Sequence, residues 1–269
     1  MSDFKVAMLA SGSKGNAALI GTDSQRFLVD MGISCRALVN KLKEVDCQPQ
    51  DLSGIFITHE HIDHVKGLVT FLKKYQVPVY TSEKTWKAIL TKYNNLERRS
   101  LQIISSSIIC GDVEVRSFPI PHDAIDPHGY VFIQRSTGAR CTYLTDTGFP
   151  TDLAREAADG AQTLILEANH DIEMLKNGNY PYMLKQRMLG TRGHLSNNSA
   201  GWLLTQLRKM PEHVILAHLS QENNLPSLAL KTVQQNLEEA RLLDKTQLLV
   251  ASQERIVANY KSIQPVIFL

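Results

Sequence analysis

Four side chains able to hold a metal ion, His59, His61, Asp63 and His64, crowd into Thr58-His59-Glu60-His61-Ile62-Asp63-His64. The run before them, residues 54–58, is apolar and of strand length. From His64 to about residue 75, Val65, Leu68, Val69 and Leu72 fall on one helical face. The cluster therefore occupies a strand-to-helix turn. In extended chain His59 and His61 leave on the same side. Asp63 and His64 fall where the helix begins, and Asp63 suits an N-cap. Two pairs of donors with different directions suit two adjacent cations better than one. A mere surface cluster of histidines gives no reason for the strand or for an aspartate at that spacing.

The rest of the chain reads as a packed α/β body around that turn. Its 269 residues are 43% hydrophobic and 21% charged, an average globular composition that excludes a disordered tail, a coiled coil and a small disulfide scaffold. No apolar run approaches the roughly 20 residues of a membrane span. No signal-peptide pattern opens the chain. Cys35, Cys47, Cys110 and Cys141 form no CxxC pair, as expected of inert thiols in a reducing cytoplasm. A cytoplasmic protein without a membrane partner is expected.

Short strands are read at residues 4–10, 17–22 and 26–30, then a helix near 36–45. Strands return at 113–119, 129–134, 140–145 and 163–167. A helix near 196–209, a strand at 213–217, a helix within 227–243 and a strand near 246–250 complete the series. Strands followed by α/β alternation occur twice, with no linker between. Two similar halves, packed as two sheets with helices outside, are expected as one domain over residues 1–269. The turn Ser11-Gly12-Ser13-Lys14-Gly15-Asn16 lacks P-loop spacing and reads as a tight strand connection. A loop offering backbone N–H groups to an anion is the alternative.

A net charge of +2 says little, but its distribution says more. Residues 174–211 contain no Asp or Glu, yet include Lys176, Lys185, Arg187, Arg192, Arg208 and Lys209. Within that stretch, Gly193-His194-Leu195-Ser196-Asn197 precedes a helix whose Ala200, Leu203, Leu204 and Leu207 share one face. Ser196 and Asn197 therefore mark a helix N-terminus suited to an anion.

His-x-His-x-Asp-His after a strand resembles the signature of the metallo-β-lactamase fold, and later motifs keep that family's order along essentially the whole chain. They are Asp30 in Leu28-Val29-Asp30-Met31-Gly32, His122 in Pro121-His122-Asp123, Asp146 in Leu144-Thr145-Asp146-Thr147-Gly148, and His218 in Leu216-Ala217-His218. The resemblance implies an α/β fold: an αββα four-layer sandwich of two mixed sheets with helices outside. It also implies two divalent metal ions, Zn²⁺ or Mn²⁺, at one edge of the sandwich. His59, His61 and His122 would bind one ion and Asp63, His64 and His218 the other. Asp146 would bridge them, together with a water or hydroxide. Imidazoles and carboxylates suit these ions, which lower the pKa of a shared water and clamp a substrate oxygen. Asp30 is read as a carboxylate that orients metal-bound histidines. His122 directly follows the strand at 113–119; His128 is the alternative third-motif ligand.

Branches of the family differ in ways this sequence registers. Aspartate at position 146 departs from the antibiotic-hydrolysing branch. The short tail after His218 departs from the helical extension of the glyoxalase II branch. Glu167-Ala168-Asn169-His170-Asp171, the Gly193-His194 segment and the turn at 11–16 together resemble the WalJ/YycJ-like branch, bacterial proteins regarded as DNA-processing nucleases. That resemblance implies a phosphodiesterase acting on nucleic acid, with DNA favoured and attack from a 5′ end. His194, just before a helix, is read as the catalytic proton donor, with Glu167 holding its ring. Ser196, Asn197 and His170 are read as substrate-binding. Two alternatives stand: a glyoxalase II-like hydrolase of thioesters, lactones or cyclic phosphodiesters, and RNase Z-like RNA processing. A non-catalytic module would be expected to have lost ligands, and none is missing. The oligomeric state is not legible.

Overall fold

The structure, a computed structural model, describes residues 4–260 except 95 and 97. The outer ends of the domain expected over 1–269 lie outside the described residues. Two seven-stranded mixed sheets form the centre. In the first, β1 (Lys5–Ala10), β2 (Ala17–Gly21), β3 (Arg26–Val29), β4 (Gly54–Phe56), β5 (Val79–Thr81) and β6 (Leu101–Ile103) lie in chain order. In the second, β7 (Ser107–Cys110), β8 (Val113–Pro119), β9 (His128–Gln134), β10 (Arg140–Leu144), β11 (Thr163–Glu167), β12 (His213–Ala217) and β13 (Gln247–Val250) do the same. A last strand, β14 (Val257–Ala258), returns to pair with β1. Each sheet starts antiparallel and ends with three parallel pairings, so the two halves repeat one topology.

Successive residues of a strand face different layers, and here both faces are covered. Val6, Met8, Phe27 and Val29 pack between the sheets, whereas Ala7, Leu9 and Leu28 pack outward. The second sheet matches this, with Tyr130, Phe132, Tyr143 and Ile165 inside and Val131, Leu144, Leu164 and Leu166 outside. Burial on both faces is why these strands read as apolar runs rather than alternations. Helices α1 (Cys35–Glu44), α2 (Ile62–Val65), α3 (Leu68–Leu72) and α4 (Glu83–Lys92) cover the first sheet. Helices α5 (Asp152–Ala158), α8 (Asn197–Thr205) and α9 (Pro226–Glu239) cover the second. Between α5 and α8 the chain forms α6 (Ile172–Asn177) and α7 (Tyr182–Leu189). Three cores thus separate four layers, the αββα sandwich expected from the sequence.

Aromatic rings fill the middle core. Phe56 meets Tyr130 and Phe132 edge-on, at centroid distances of 5.3 and 5.4 Å, and Phe27 lies 5.6 Å from Phe132. The Tyr130 hydroxyl donates to the Ile57 carbonyl at 2.6 Å, a bond that joins the two sheets.

Local departures have local causes. The helix expected from His64 to about residue 75 is two helices, α2 and α3, broken beside Gly67. There a Cβ would sit 2.2 Å from the Ile33 carbonyl oxygen, and the Gly67 N–H donates to Met31 instead. Asp63 is not the N-cap; His61 holds that position, and Asp63 lies in the first turn. The turn at 11–16 is the strand connection, and it braces the donor turn: the Asn16 N–H donates to the Asp63 carbonyl at 2.8 Å.

Gly32 completes that brace. A Cβ there would lie 1.6 Å from the Asp63 carbonyl oxygen. Gly32→Ala is therefore expected to drive the donor turn off its seat, at about 1–3 kcal/mol for overpacking. The measurement is a melting curve, with a drop of roughly 2–4 °C per kcal/mol at this size. An unchanged curve would mean that the turn yields freely.

Candidate metal centre and active site

The donors gather where strands of both sheets end. His59, His61, Asp63 and His64 follow β4, His122 follows β8, Asp146 follows β10 and His218 follows β12. Asp30, Asp146 and His218 adopt left-handed backbone, with φ of 61°, 57° and 56°. Such conformations cost on the order of 1 kcal/mol for a non-glycine residue and persist where surroundings hold them. All three lie just past strand ends, where the kink turns a side chain into the gap between the sheets.

Four groups of donors are compact among the described residues, one of them joining Asp146, Glu167, His194 and His218. His59 Nε2 is 3.0 Å from His61 Nδ1, and His122 joins them. Asp63 Oδ2 is 3.3 Å from His64 Nε2 and 3.6 Å from His218 Nε2. Asp146 stands between, with Oδ2 3.6 Å from His64 Nε2, and it groups with His59 and His64 as well. Carboxylates behind the histidines fix their tautomers. Asp30 accepts from His64 Nδ1 at 2.8 Å and from Thr58. Glu167 Oε1 accepts from His218 Nδ1 and His194 Nδ1, both at 2.8 Å, while Oε2 accepts the N–H groups of Thr147 and Leu195. The Gly193 carbonyl accepts from His122 Nδ1 at 3.1 Å.

This residue set fits divalent cations. His122 Nε2, Asp123 Oδ1, Asp146 Oδ2 and His218 Nε2 are all buried without a hydrogen-bond partner. Buried polar atoms left so need an explanation, and imidazole nitrogens beside carboxylate oxygens suit Zn²⁺ or Mn²⁺. The electrostatics agree. Burial alone would lower the pKa of His64, yet Asp30, Asp146 and Asp63 raise it well above the usual value. Burial is likewise overcome at His218, by Asp146, Asp63 and Glu167. His59 goes the other way, lowered by burial and then by His64 and His122. Burial opposes ionisation of Asp146, but His218 and His64 hold its carboxyl below the usual range. A cavity of about 240 Å³ opens on the cluster, also lined by Ser13, Asn169, Tyr180, Arg187 and Ser220.

Comparison with known proteins follows the same lines. Residues 25–219 match the β-lactamase superfamily domain. The chain is 40% identical to the exodeoxyribonuclease YycJ of Bacillus anthracis over 236 residues, covering 87% of this chain and 89% of that one. It is 37% identical to the exodeoxyribonuclease WalJ of Streptococcus pneumoniae (strain D39) over 245 residues, 89% and 90% of the two chains. The chain belongs to the YycJ/WalJ branch of the β-lactamase superfamily. The fold match extends to the metallo-β-lactamase fold protein YhfI of Bacillus subtilis, with a TM-score of 0.70 at 14% identity, over 96% of this chain and 100% of that one. As a superfamily member with this donor set, the chain is a metal-dependent hydrolase.

Not every expected residue reaches the cavity of this superfamily member. Ser196, Asn197 and His170 do not line it. The Ser196 side chain caps α8 by accepting from the Ser199 N–H, and the Asn197 amide pairs reciprocally with Asn224. His170 is buried, and burial brings its pKa down to about 4, so it offers no charge to an anion. All three side chains, read as substrate-binding from the sequence, are buried beside this cavity rather than on its wall. His128 also stands outside the cluster, its Nδ1 against the Asp126 carbonyl. Asp123, Asn169, Arg187, Ser13 and Ser220 were not singled out as site residues, yet they line the cavity. Asp123 and Asn169 carried a signal, since each adjoins a motif residue; the rest carried only their places in a turn or in the acid-free stretch.

Proposed function

We propose that the chain is one catalytic domain, a phosphodiesterase that degrades nucleic acid, DNA by preference, from a 5′ end. The observation that carries this reading is His194. Its Nδ1 is held by Glu167, and its ring lies at the cavity wall, 5.0 Å from the His122 ring and 5.2 Å from that of His218. Two divalent cations, one held by His59, His61 and His122, the other by Asp63, His64 and His218, with Asp146 shared, would supply Lewis acidity and an acidified water. Glu167 keeps the Nδ1 proton of His194 in place and the ring turned toward the cavity. The Nε2 proton is then free to pass to the oxygen that departs from phosphorus. Asp30 and Glu167 keep His64 and His218 turned so that Nε2 faces the cluster.

A polyanionic substrate fits the surroundings. Arg187 lines the cavity, and Arg192 is tied to the His122 carbonyl at 3.2 Å beside it. Both come from the acid-free stretch, which attracts phosphate backbone. The names of the YycJ and WalJ relatives support deoxyribonucleic acid over ribonucleic acid. Four free cysteines, three of them buried, suit a reducing cytoplasm. No helix among the described residues is long and apolar enough to cross a membrane.

The experiment is digestion of end-labelled single- and double-stranded DNA and RNA, with Mn²⁺ or Zn²⁺ supplied. Metal-dependent release of nucleotides from the 5′ end of DNA is expected, with RNA cut more slowly. Intact nucleic acids alongside turnover of a thioester or lactone panel would overturn the reading.

A further inference from the structure

We propose, on the basis of the phosphodiesterase reading, that the turn between β1 and β2 and the segment after His218 together seat a second phosphate of the bound strand, separate from the one that is cut. Hydrogen bonding within the turn singles out one residue. Ser11 donates its N–H to the Ser252 carbonyl, Gly12 to Asn16 Oδ1 and Lys14 to Gln253 Oε1. Gly15 donates to the Gly12 carbonyl and Asn16 to the Asp63 carbonyl. Ser13 has no partner for its N–H or its hydroxyl among the described residues, and of these six residues it is the one that lines the cavity. The turn is fixed in place. Gly12 and Gly15 hold φ of 143° and 145°, a region open to glycine, and Gln253 Nε2 clamps the Gly15 carbonyl at 2.8 Å.

The segment after β12 runs beside this turn. The His218 N–H donates to Ser11 Oγ at 2.7 Å, and a Cβ on Gly12 would meet the Leu219 carbonyl oxygen at 3.2 Å. The next residues of the two segments are Ser13 and Ser220, and both line the cavity. Ser220 is only 4% exposed. Its Oγ accepts the Asn223 N–H at 3.1 Å, while its hydroxyl proton meets no acceptor among the described residues. A buried donor left open on a cavity wall calls for an acceptor from outside the chain. Lys14, exposed beside Ser13, adds a positive charge, and donors next to a cation suit a phosphate oxygen. Asn16 Nδ2 lies 3.3 Å from His64 Nε2, which puts the turn at the Asp63, His64 and His218 end of the donor cluster. Arg187 is bonded to Asp123, whose Oδ1 lies 3.3 Å from His122 Nε2, at the other end. A strand cut at the cluster would thus be held by phosphates on both sides of the cut.

The test uses DNA in which one phosphate at a time is removed or made neutral: the 5′-terminal phosphate, or a single linkage replaced by methylphosphonate. Initial rates with Mn²⁺ are measured for wild type, Lys14→Met and Ser220→Ala. In wild type, loss of one phosphate outside the cut linkage should cost about 10-fold or more, the scale of a charge-assisted hydrogen bond. Both variants should cut ordinary DNA more slowly and lose most of their sensitivity at that same position. Whether the position is terminal or internal identifies the phosphate that the turn holds. Lys14 is exposed, so Lys14→Met should keep the fold even if Ser220→Ala does not. A Lys14→Met protein that cuts ordinary DNA at the wild-type rate, or stays as sensitive as wild type at every position, would overturn the seat. Binding of the same DNAs to chelator-treated protein repeats the comparison without cleavage. Wild type that cuts DNA yet shows no such position removes the seat and leaves the phosphodiesterase reading standing; wild type that neither binds nor cuts DNA removes both.

Discussion

Asp146→Asn is expected to lose at least one metal equivalent and nearly all turnover while keeping the fold. The carboxylate lies 3.6 Å from His64 Nε2 and forms a compact group with His59 as well as His64, so it reaches both halves of the donor set. An amide keeps its size but removes the negative charge that lets two dications stand side by side. The backbone gives no reason for the fold to fail, because asparagine tolerates the left-handed conformation at φ 57° as readily as aspartate does. Elemental analysis and activity on the purified variant make the test. Two retained ions with normal turnover would remove Asp146 from the position between them.

His194→Ala should separate proton donation from metal binding. The ring contributes one of four bonds to Glu167, whose other partners are His218, Thr147 and Leu195. Glu167 therefore stays anchored, and metal content and melting temperature should hardly move. Phosphodiester cleavage should fall roughly 10²-fold or more, the usual scale for a lost general acid. A nitrophenolate leaving group, which departs without a proton, should recover much of that loss. His194 also lies in a compact group with Asp146, Glu167 and His218, so a lost metal equivalent would instead make it a ligand. Normal DNA cleavage by the variant would leave it a structural residue.

What the sequence made legible divides along a physical line. His59, His61, Asp63 and His64 were readable because they are adjacent in the chain and their chemistry is unmistakable. The layering was readable because doubly covered strands leave long apolar runs, as at Val214, Ile215, Leu216 and Ala217. What Ser196 and Asn197 face was not legible, because a helix N-terminus looks the same in sequence whether it faces solvent or another side chain. The amide that closes it comes from Asn224, 27 residues away. Asp123 and Arg187 lie 64 residues apart, so nothing local announces their pairing. Strands of three residues, such as β5 and β6, are too short to show any period.

The aromatic layer between the sheets has a consequence for chemistry it never touches. Phe56 lies just before the donor turn of the first sheet, and Tyr143 lies just before Asp146 in the second. Tyr130 links the banks through its bond to Ile57. The clustered His and Asp donors come from opposite sides of this layer, so its thickness sets how far apart the donor banks stand. Close-packed rings neither compress nor rearrange cheaply. They act as a spacer gauge, and a change of ring size at Phe56 or Phe132 would retune the gap between the donor banks long before it unfolded the protein.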